Sequence, residues 1–406
     1  MDVRGIKKIP FFDLNRQYDA MQQEIEASVR DVLRSGKYVE GPAVQELETR
    51  ISEYLGVKHT ITCKNGTDAL RIALQANGIK RGDEVIVTTF SFFATAEAIA
   101  QIGAVPVFAD IRPDHYNIDV KDIRKKISKN TRAILPVHIF GMPADMDEIN
   151  EVAAQYGIPV IEDACQAIGA QYKQKKAGAL ATVGCFSFYP TKNLGAAGDG
   201  GMITTNDDRL AQICRAMKSH AAGKTGGEAY QYLYHEKVSE LEEYGLDMGS
   251  GELYDPCKYY NYFIGGNSRL DSVQAAVLLV KLKYLDRLNQ KRREISQRYS
   301  QEFSQLPIQL PQISAKDRVS CCHQYAILCD QKEALIQFME ENGVGVGRFY
   351  PVPLHLQKAF RYLNYKEGSI PVAESVCKKS VCLPVFPELR EDEVAYIIEV
   401  VKKFFG

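Results

Sequence analysis

Seven short apolar runs constrain this chain more than any other feature. They lie near residues 59–63, 85–89, 105–109, 133–138, 158–162, 183–188 and 202–205, and most are separated by helix-like segments, including Asp145 to Tyr156 and Asp207 to Lys218. Strand and helix in alternation predict an α/β fold with a three-layer, mostly parallel seven-stranded sheet. Ligands of such sheets gather beyond the carboxyl ends of the strands. The segments holding Gly66, Asp163 and Lys192 all fall at that edge.

The first segment reads strand, tight turn, helix: His59-Thr-Ile-Thr-Cys63, then Lys64-Asn-Gly-Thr-Asp68, then the apolar-periodic Ala69-Leu-Arg-Ile-Ala-Leu74. The first amides of a helix have no internal partner, so an anion is welcome before them. Gly66 and Thr67 are the expected phosphate ligands; the plainer reading is an ordinary N-cap at Asn65 or Thr67. The second segment is Gly184-Cys-Phe-Ser-Phe-Tyr-Pro-Thr-Lys-Asn193, in which alternating residues suggest a strand, Pro190 ends any ladder, and glycines crowd the stretch to Gly201. The third is Pro159-Val-Ile-Glu-Asp163, an apolar run ending in an acid. A lone lysine past a strand, a hydroxyl five positions earlier and a strand-end carboxylate are what pyridoxal phosphate chemistry requires. Lys192 would form the Schiff base, Asp163 would pair with the pyridinium nitrogen, and Ser187 would donate to the phosphate. Taken singly, Lys192 reads as a surface lysine and Asp163 as a helix cap.

Composition narrows the class. The chain has 406 residues, 45% hydrophobic and 25% charged, enough for two packed domains. A formal net charge of -1 without a basic stripe argues against nucleic acid as a partner. No run approaches the roughly 20 apolar residues of a spanning helix, and the start, Met1-Asp-Val-Arg, has no apolar signal core, so no membrane partner and a cytoplasmic location are expected. Ten scattered cysteines show neither zinc spacing nor a disulfide framework, so no metal is expected and most should be buried thiols.

The organisation follows. Leu14, Tyr18, Met21, Ile25, Val29 and Val32 predict an opening amphipathic helix, which with the sheet forms a large domain over residues 1–270. From 271 to 406, a long charged bridging helix leads to a smaller C-terminal α/β domain. Its apolar side carries Val273, Val277, Val280, Leu282, Leu285 and Leu288, with Arg287, Lys291, Arg292 and Arg293 outside. A strand at His323 to Cys329 and helices over Lys332 to Glu341 and Glu391 to Phe405 complete that domain.

The chain resembles the sugar aminotransferase family named after DegT and StrS, within the aspartate aminotransferase-like (type I) pyridoxal phosphate enzymes. The likeness runs through Asn65-Gly-Thr-Asp-Ala-Leu70, Gly82-Asp-Glu-Val-Ile-Val87, Pro136-Val-His138 with Gly141, Ile161-Glu-Asp-Ala164 with Gln166, Ser187-Phe-Tyr-Pro-Thr-Lys192, Gly198-Asp-Gly-Gly201, Gly266-Asn-Ser-Arg-Leu-Asp271 and Tyr350-Pro-Val-Pro-Leu-His355, nearly the whole length. The resemblance implies that Lys192 binds pyridoxal 5'-phosphate and shuttles the proton, Asp163 partners the pyridinium, and Gln166 contacts the ring hydroxyl. It also implies that Ser187, Gly66 and Thr67 cradle the phosphate and that Phe92 stacks on the ring, although Phe90, Phe92 and Phe93 also read as one core stretch. Asn267 and Arg269 match a loop donated from a neighbouring subunit, implying a homodimer with shared active sites. Arg269, Tyr350 and His355 are the implied substrate contacts.

Departures accompany the likeness. Thr88-Thr89 stands where relatives often have Pro-Ser, and Phe349 where they often have histidine. A polar, tyrosine-rich insertion spans about 221–262, containing Gly249-Ser-Gly251 and Tyr230, Tyr232, Tyr234, Tyr259, Tyr260 and Tyr262. It reads either as a surface loop or as a lid over the neighbour's sugar pocket. The implied activity is transfer of an amino group from glutamate to a nucleotide-diphosphate-linked keto sugar, at C3 in preference to C4, in surface polysaccharide or amino-sugar biosynthesis. An inosose aminotransferase shares these motifs. A sugar dehydratase would replace Lys192 with histidine, and a non-enzymatic regulator would not need Asp163, Ser187 and Lys192 together.

Overall fold

The computed structural model describes residues 8–235 and 259–406. Strands β1 (His59–Cys63), β2 (Glu84–Thr88), β3 (Val105–Ala109), β4 (Thr131–Leu135), β5 (Ile161–Asp163), β6 (Val183–Ser187) and β7 (Gly201–Thr205) fall on the seven apolar runs. The sheet order is β1-β7-β6-β5-β4-β2-β3. Single parallel bridges, Ile134 to Val160 and Val137 to Asp163, join its two halves. β5 is the shortest of the seven, and it follows Pro159, which has no N–H to give a ladder. Only β7 runs antiparallel to its neighbours. The carboxyl ends of β1, β5 and β6 therefore share one edge with the start of β7.

Alternation within β2 shows the three layers. Val85 and Val87 face a core with Leu70, Ala73 and Ile99 of the helices Gly66–Ala76 and Ala94–Gln101. Ile86 faces the opposite core, with Ile123, Ile149 and Val152 of Val120–Lys126 and Met146–Tyr156. All three β2 residues are fully buried, as a strand covered on both faces requires.

The C-terminal region holds an antiparallel pair, β8 (Tyr325–Leu328) and β9 (Ser380–Leu383), packed on helices Lys332–Glu341 and Glu391–Phe405. The first described residues also reach this core. Ile9 is fully buried there and bridges Val344, and Arg16 forms a bidentate pair with Glu393.

Other expectations change in detail. The opening helix is two, Leu14–Asp19 and Gln22–Ser35, because the backbone leaves helical geometry at Met21. The bridging helix is likewise Ser272–Leu282 and Leu285–Glu302. Arg292, expected outside, is 2% exposed. A buried guanidinium needs partners; it donates to the Val385 carbonyl at 3.1 Å and lies over the Phe12 ring. The insertion begins as a helix, Gly223–Tyr234, rather than a loop. Buried Gly226 and Gly227 let it approach Tyr262, whose ring atoms would lie about 3 Å from any added Cβ. Gly249-Ser-Gly251 lies outside the described residues. Among the described residues, no helix is long and apolar enough to cross a membrane.

Candidate active site

One cavity of about 490 Å³ opens at the shared strand edge. Gly66, Thr67, Phe92, Asp163, Gln166, Ser187, Lys192 and Tyr350 all line it.

One end of the cavity is built by the step from β1 into Gly66–Ala76. Asn65 caps that helix, its side chain accepting from the Asp68 amide at 2.8 Å, so the first amides keep their direction toward the cavity. A Cβ on Gly66 would sit 2.8 Å from the Ser187 Cβ and 3.1 Å from the Cys165 Sγ. Glycine is what allows the helix start and the Ser187 side chain to approach this closely. From behind, Ser268 Oγ donates to Asp68 Oδ2 at 2.7 Å.

At the other end Asp163 is 4% exposed. Its backbone is clamped to the segment that follows β4, with its N–H on the Pro136 carbonyl and its carbonyl accepting from the His138 amide. The Thr95 hydroxyl donates to Oδ2 at 2.8 Å, and the Cys165 amide reaches Oδ1 at 3.2 Å. Because the Thr95 hydrogen is spent on Asp163, Ser91 must donate to Thr95, 2.8 Å away. The carboxylate is thus held in one orientation at the cavity wall. Gln166 accepts from the Phe140 amide and donates to the Tyr350 hydroxyl at 3.0 Å, leaving one N–H for a ligand.

Lys192 sits on a turn beyond β6, where its amide donates to the Tyr189 carbonyl. Burial pushes its ammonium below the ordinary lysine range, while the nearby Cys165 and Asp163 oppose that shift. An amine so depressed is better suited to attack a carbonyl and to take up a proton.

Phe92, which also read as core, is 59% exposed at the cavity wall, whereas Phe90 is fully buried. Asn267 and Arg269 do not line this cavity; Asn267 is exposed and Arg269 half-buried. His355, expected as a substrate contact, does not line this cavity either. It is 2% exposed, with Nδ1 on the Thr89 hydroxyl at 2.7 Å and Nε2 on Glu374 at 3.2 Å. With both ring nitrogens engaged it acts as a strut. Sequence reasoning missed Ser91, Thr95, Cys165, Asp199, His323 and Gln324, which also line the site. Ser91 and Thr95 carried only the signal of two hydroxyls four residues apart beside Phe92. His323 was hidden as the first residue of an expected strand.

A helix start shaped for an anion, a clamped carboxylate and a lysine of lowered basicity, on one edge of this strand order, define a type I pyridoxal phosphate enzyme. The chain belongs to the DegT/DnrJ/EryC1/StrS aminotransferase family, whose model matches residues 19–402. It is 42% identical to a pleiotropic regulatory protein of Geobacillus stearothermophilus over 98% of each chain. It is 38% identical to the UDP-2-acetamido-2-deoxy-3-oxo-D-glucuronate aminotransferase of Pseudomonas aeruginosa, over 96% of this chain and 98% of that one. Among solved structures, S. venezuelae DesV in complex with a ketimine intermediate superposes with a TM-score of 0.88 at 34% identity, over 99% of each chain. The protein is a pyridoxal phosphate-dependent transaminase. When bound, the cofactor supplies a cationic ring that draws electrons from the substrate carbon losing its proton.

Proposed function

We propose that this transaminase takes its amino group from glutamate and gives it to a nucleotide-diphosphate-linked sugar carrying a ketone at C3. Gly66, Thr67 and Ser187 hold the cofactor phosphate, Asp163 keeps the ring nitrogen protonated, Gln166 meets the ring hydroxyl and Phe92 covers the ring face. Lys192 moves the proton between substrate carbon and cofactor in both halves of the reaction. The observation that carries this reading is the convergence of these side chains on one cavity roomy enough for a sugar beside the cofactor. C3 is favoured by similarity to the 3-oxo sugar enzyme of Pseudomonas aeruginosa and to the dTDP-3-amino-3,4,6-trideoxy-alpha-D-glucose transaminase of Streptomyces venezuelae.

The working unit is a homodimer with shared sites. Lys192 is the only cation among the described cavity-lining residues, beside two acids, Asp163 and Asp199. A cofactor phosphate and a substrate diphosphate need more positive charge and more donors than that. Asn267 and Arg269 of a second copy supply them, with Tyr350 contacting the sugar. A cytoplasmic location agrees with nine described cysteines that form no disulfide.

The test is the visible spectrum of the protein with pyridoxal phosphate before and after glutamate, followed by a panel of nucleotide-linked 3-keto and 4-keto sugars and free inososes. Conversion of the cofactor by glutamate and turnover of a 3-keto nucleotide sugar are expected. Turnover of an inosose alone, or of 4-keto sugars alone, overturns the substrate assignment.

A further inference from the structure

A buried chain of amides determines the state of a histidine that the scheme above does not use. Asn193 follows Lys192 and is 7% exposed. Its Nδ2 donates to Asn289 Oδ1 at 2.7 Å and to the Cys321 carbonyl at 2.9 Å, which uses both of its N–H bonds. Asn289 cannot turn over, because its own Nδ2 donates to the Ile168 carbonyl at 3.0 Å. Only Asn193 Oδ1 remains to meet His323 Nδ1, 3.0 Å away, and a carbonyl oxygen can only accept. His323 therefore carries its proton on Nδ1. Its Nε2 is a bare lone pair with no protein partner among the described residues, on a ring that lines the same cavity as Lys192. Burial first, then the charges of Lys192 and Arg292, hold this ring well below the ordinary histidine range, so it is neutral.

We propose that His323 Nε2 is the hydrogen-bond acceptor for the Lys192 amine whenever that amine is released from the cofactor and carries the proton in transit. With the cofactor bound, Lys192 Nζ would hold the proton in transit between the substrate carbon and the cofactor, and His323 would neither gain nor lose one. A lysine that takes up this proton becomes an ammonium in a place where burial disfavours charge. A neutral acceptor satisfies one N–H and aims another without trapping the proton as a second carboxylate would. The inference rests on the transaminase class alone, independent of which sugar or donor is used.

The first test needs no turnover. Nitrogen-15 NMR of the protein with ring-labelled histidine, with and without pyridoxal phosphate, should show His323 as the Nδ1–H tautomer, still uncharged at pH values where an ordinary histidine is protonated. A protonated ring or an Nε2–H tautomer overturns the proposal. The second test compares His323→Phe and His323→Gln in each half-reaction separately by rapid mixing. The phenylalanine variant should slow proton transfer in both halves on the order of tenfold or more, with a larger isotope effect from deuterium on the donor's α carbon. The glutamine variant should recover most of the rate through its amide oxygen. Slowing confined to the keto-sugar half assigns Nε2 to a sugar hydroxyl and overturns the proposal, as does an unchanged rate in the phenylalanine variant. A wrong choice of donor appears differently, as a glutamate half-reaction absent from the wild type as well. The NMR result stands even where a variant fails to fold.

Discussion

Single side chains at this site work because neighbours leave them one orientation. Thr95 and the Cys165 amide fix the Asp163 carboxylate, so Thr95→Val should release one oxygen and lower kcat without emptying the cofactor site. Its check is kcat beside the cofactor absorbance, and wild-type turnover would show that the hydroxyl is dispensable. Gly66→Ala drives a methyl into Ser187 and Cys165. Loss of even one charge-assisted hydrogen bond costs about 1.5–3 kcal/mol, so cofactor affinity should fall on the order of tenfold or more, measured by equilibrium titration. Lys192→Ala should leave the fold intact and abolish turnover; residual transamination near the wild-type rate would remove the lysine from its role. Lys192, Asp163, Ser187 and Gly66 were legible because each is defined by its place at the end of a short periodic run. Thr95 and His323 were not, because nothing local to either residue names its partner.

At the scale of elements, the strands were readable and the breaks between helices were not. β1, β3 and the helix Lys332–Glu341 stand where periodicity put them, since alternation is written within five to ten residues. The burial of Arg292 depends on surfaces contributed by distant segments, Val385 and Phe12. Elements are also pinned by charge. Asp145, at the start of Met146–Tyr156, meets Arg318 at 2.7 Å and His115 at 3.3 Å. Burial pushes this carboxyl up, but His115 and Arg318 outweigh it and hold the group at about 2. A carboxylate depressed in the folded state stabilises it above the ordinary pKa of about 3.9, and that contribution is lost as pH falls toward 2. Asp145→Asn should therefore lower the unfolding temperature at neutral pH and flatten its decline between about pH 4 and 2. Parallel curves for variant and wild type would exclude this linkage.

Over the whole molecule, the decisive question is which copy completes the cavity. If Asn267 and Arg269 serve the neighbouring subunit, mixing a Lys192→Ala protein with an Asn267→Ala, Arg269→Ala protein should restore activity that neither has alone. In a random dimer mixture half the molecules are hybrids with one intact site each, so about a quarter of the wild-type rate should return. No recovery after verified subunit exchange would place both residues in their own protomer's chemistry. The insertion is also judged at this scale. Removing 226–256, the natural cut for a loop, would take away most of a helix with buried Gly226, Gly227 and Ala229. A cut confined to 236–258 leaves that helix in place, and a raised KM for the sugar is then the outcome expected of a lid.

By itself the sequence determined the sheet and the edge where Gly66, Asp163 and Lys192 meet, because side-chain period and strand-end position are properties of short segments. Only the tertiary structure decided that Thr95 orients Asp163 across 68 positions, that Asn193 sets the tautomer of His323 across 130, and that His355 is a strut for Thr89 across 266. Those roles are hydrogen bonds between residues remote in sequence, and such a bond exists only once the chain has folded and a buried polar atom has one partner within reach.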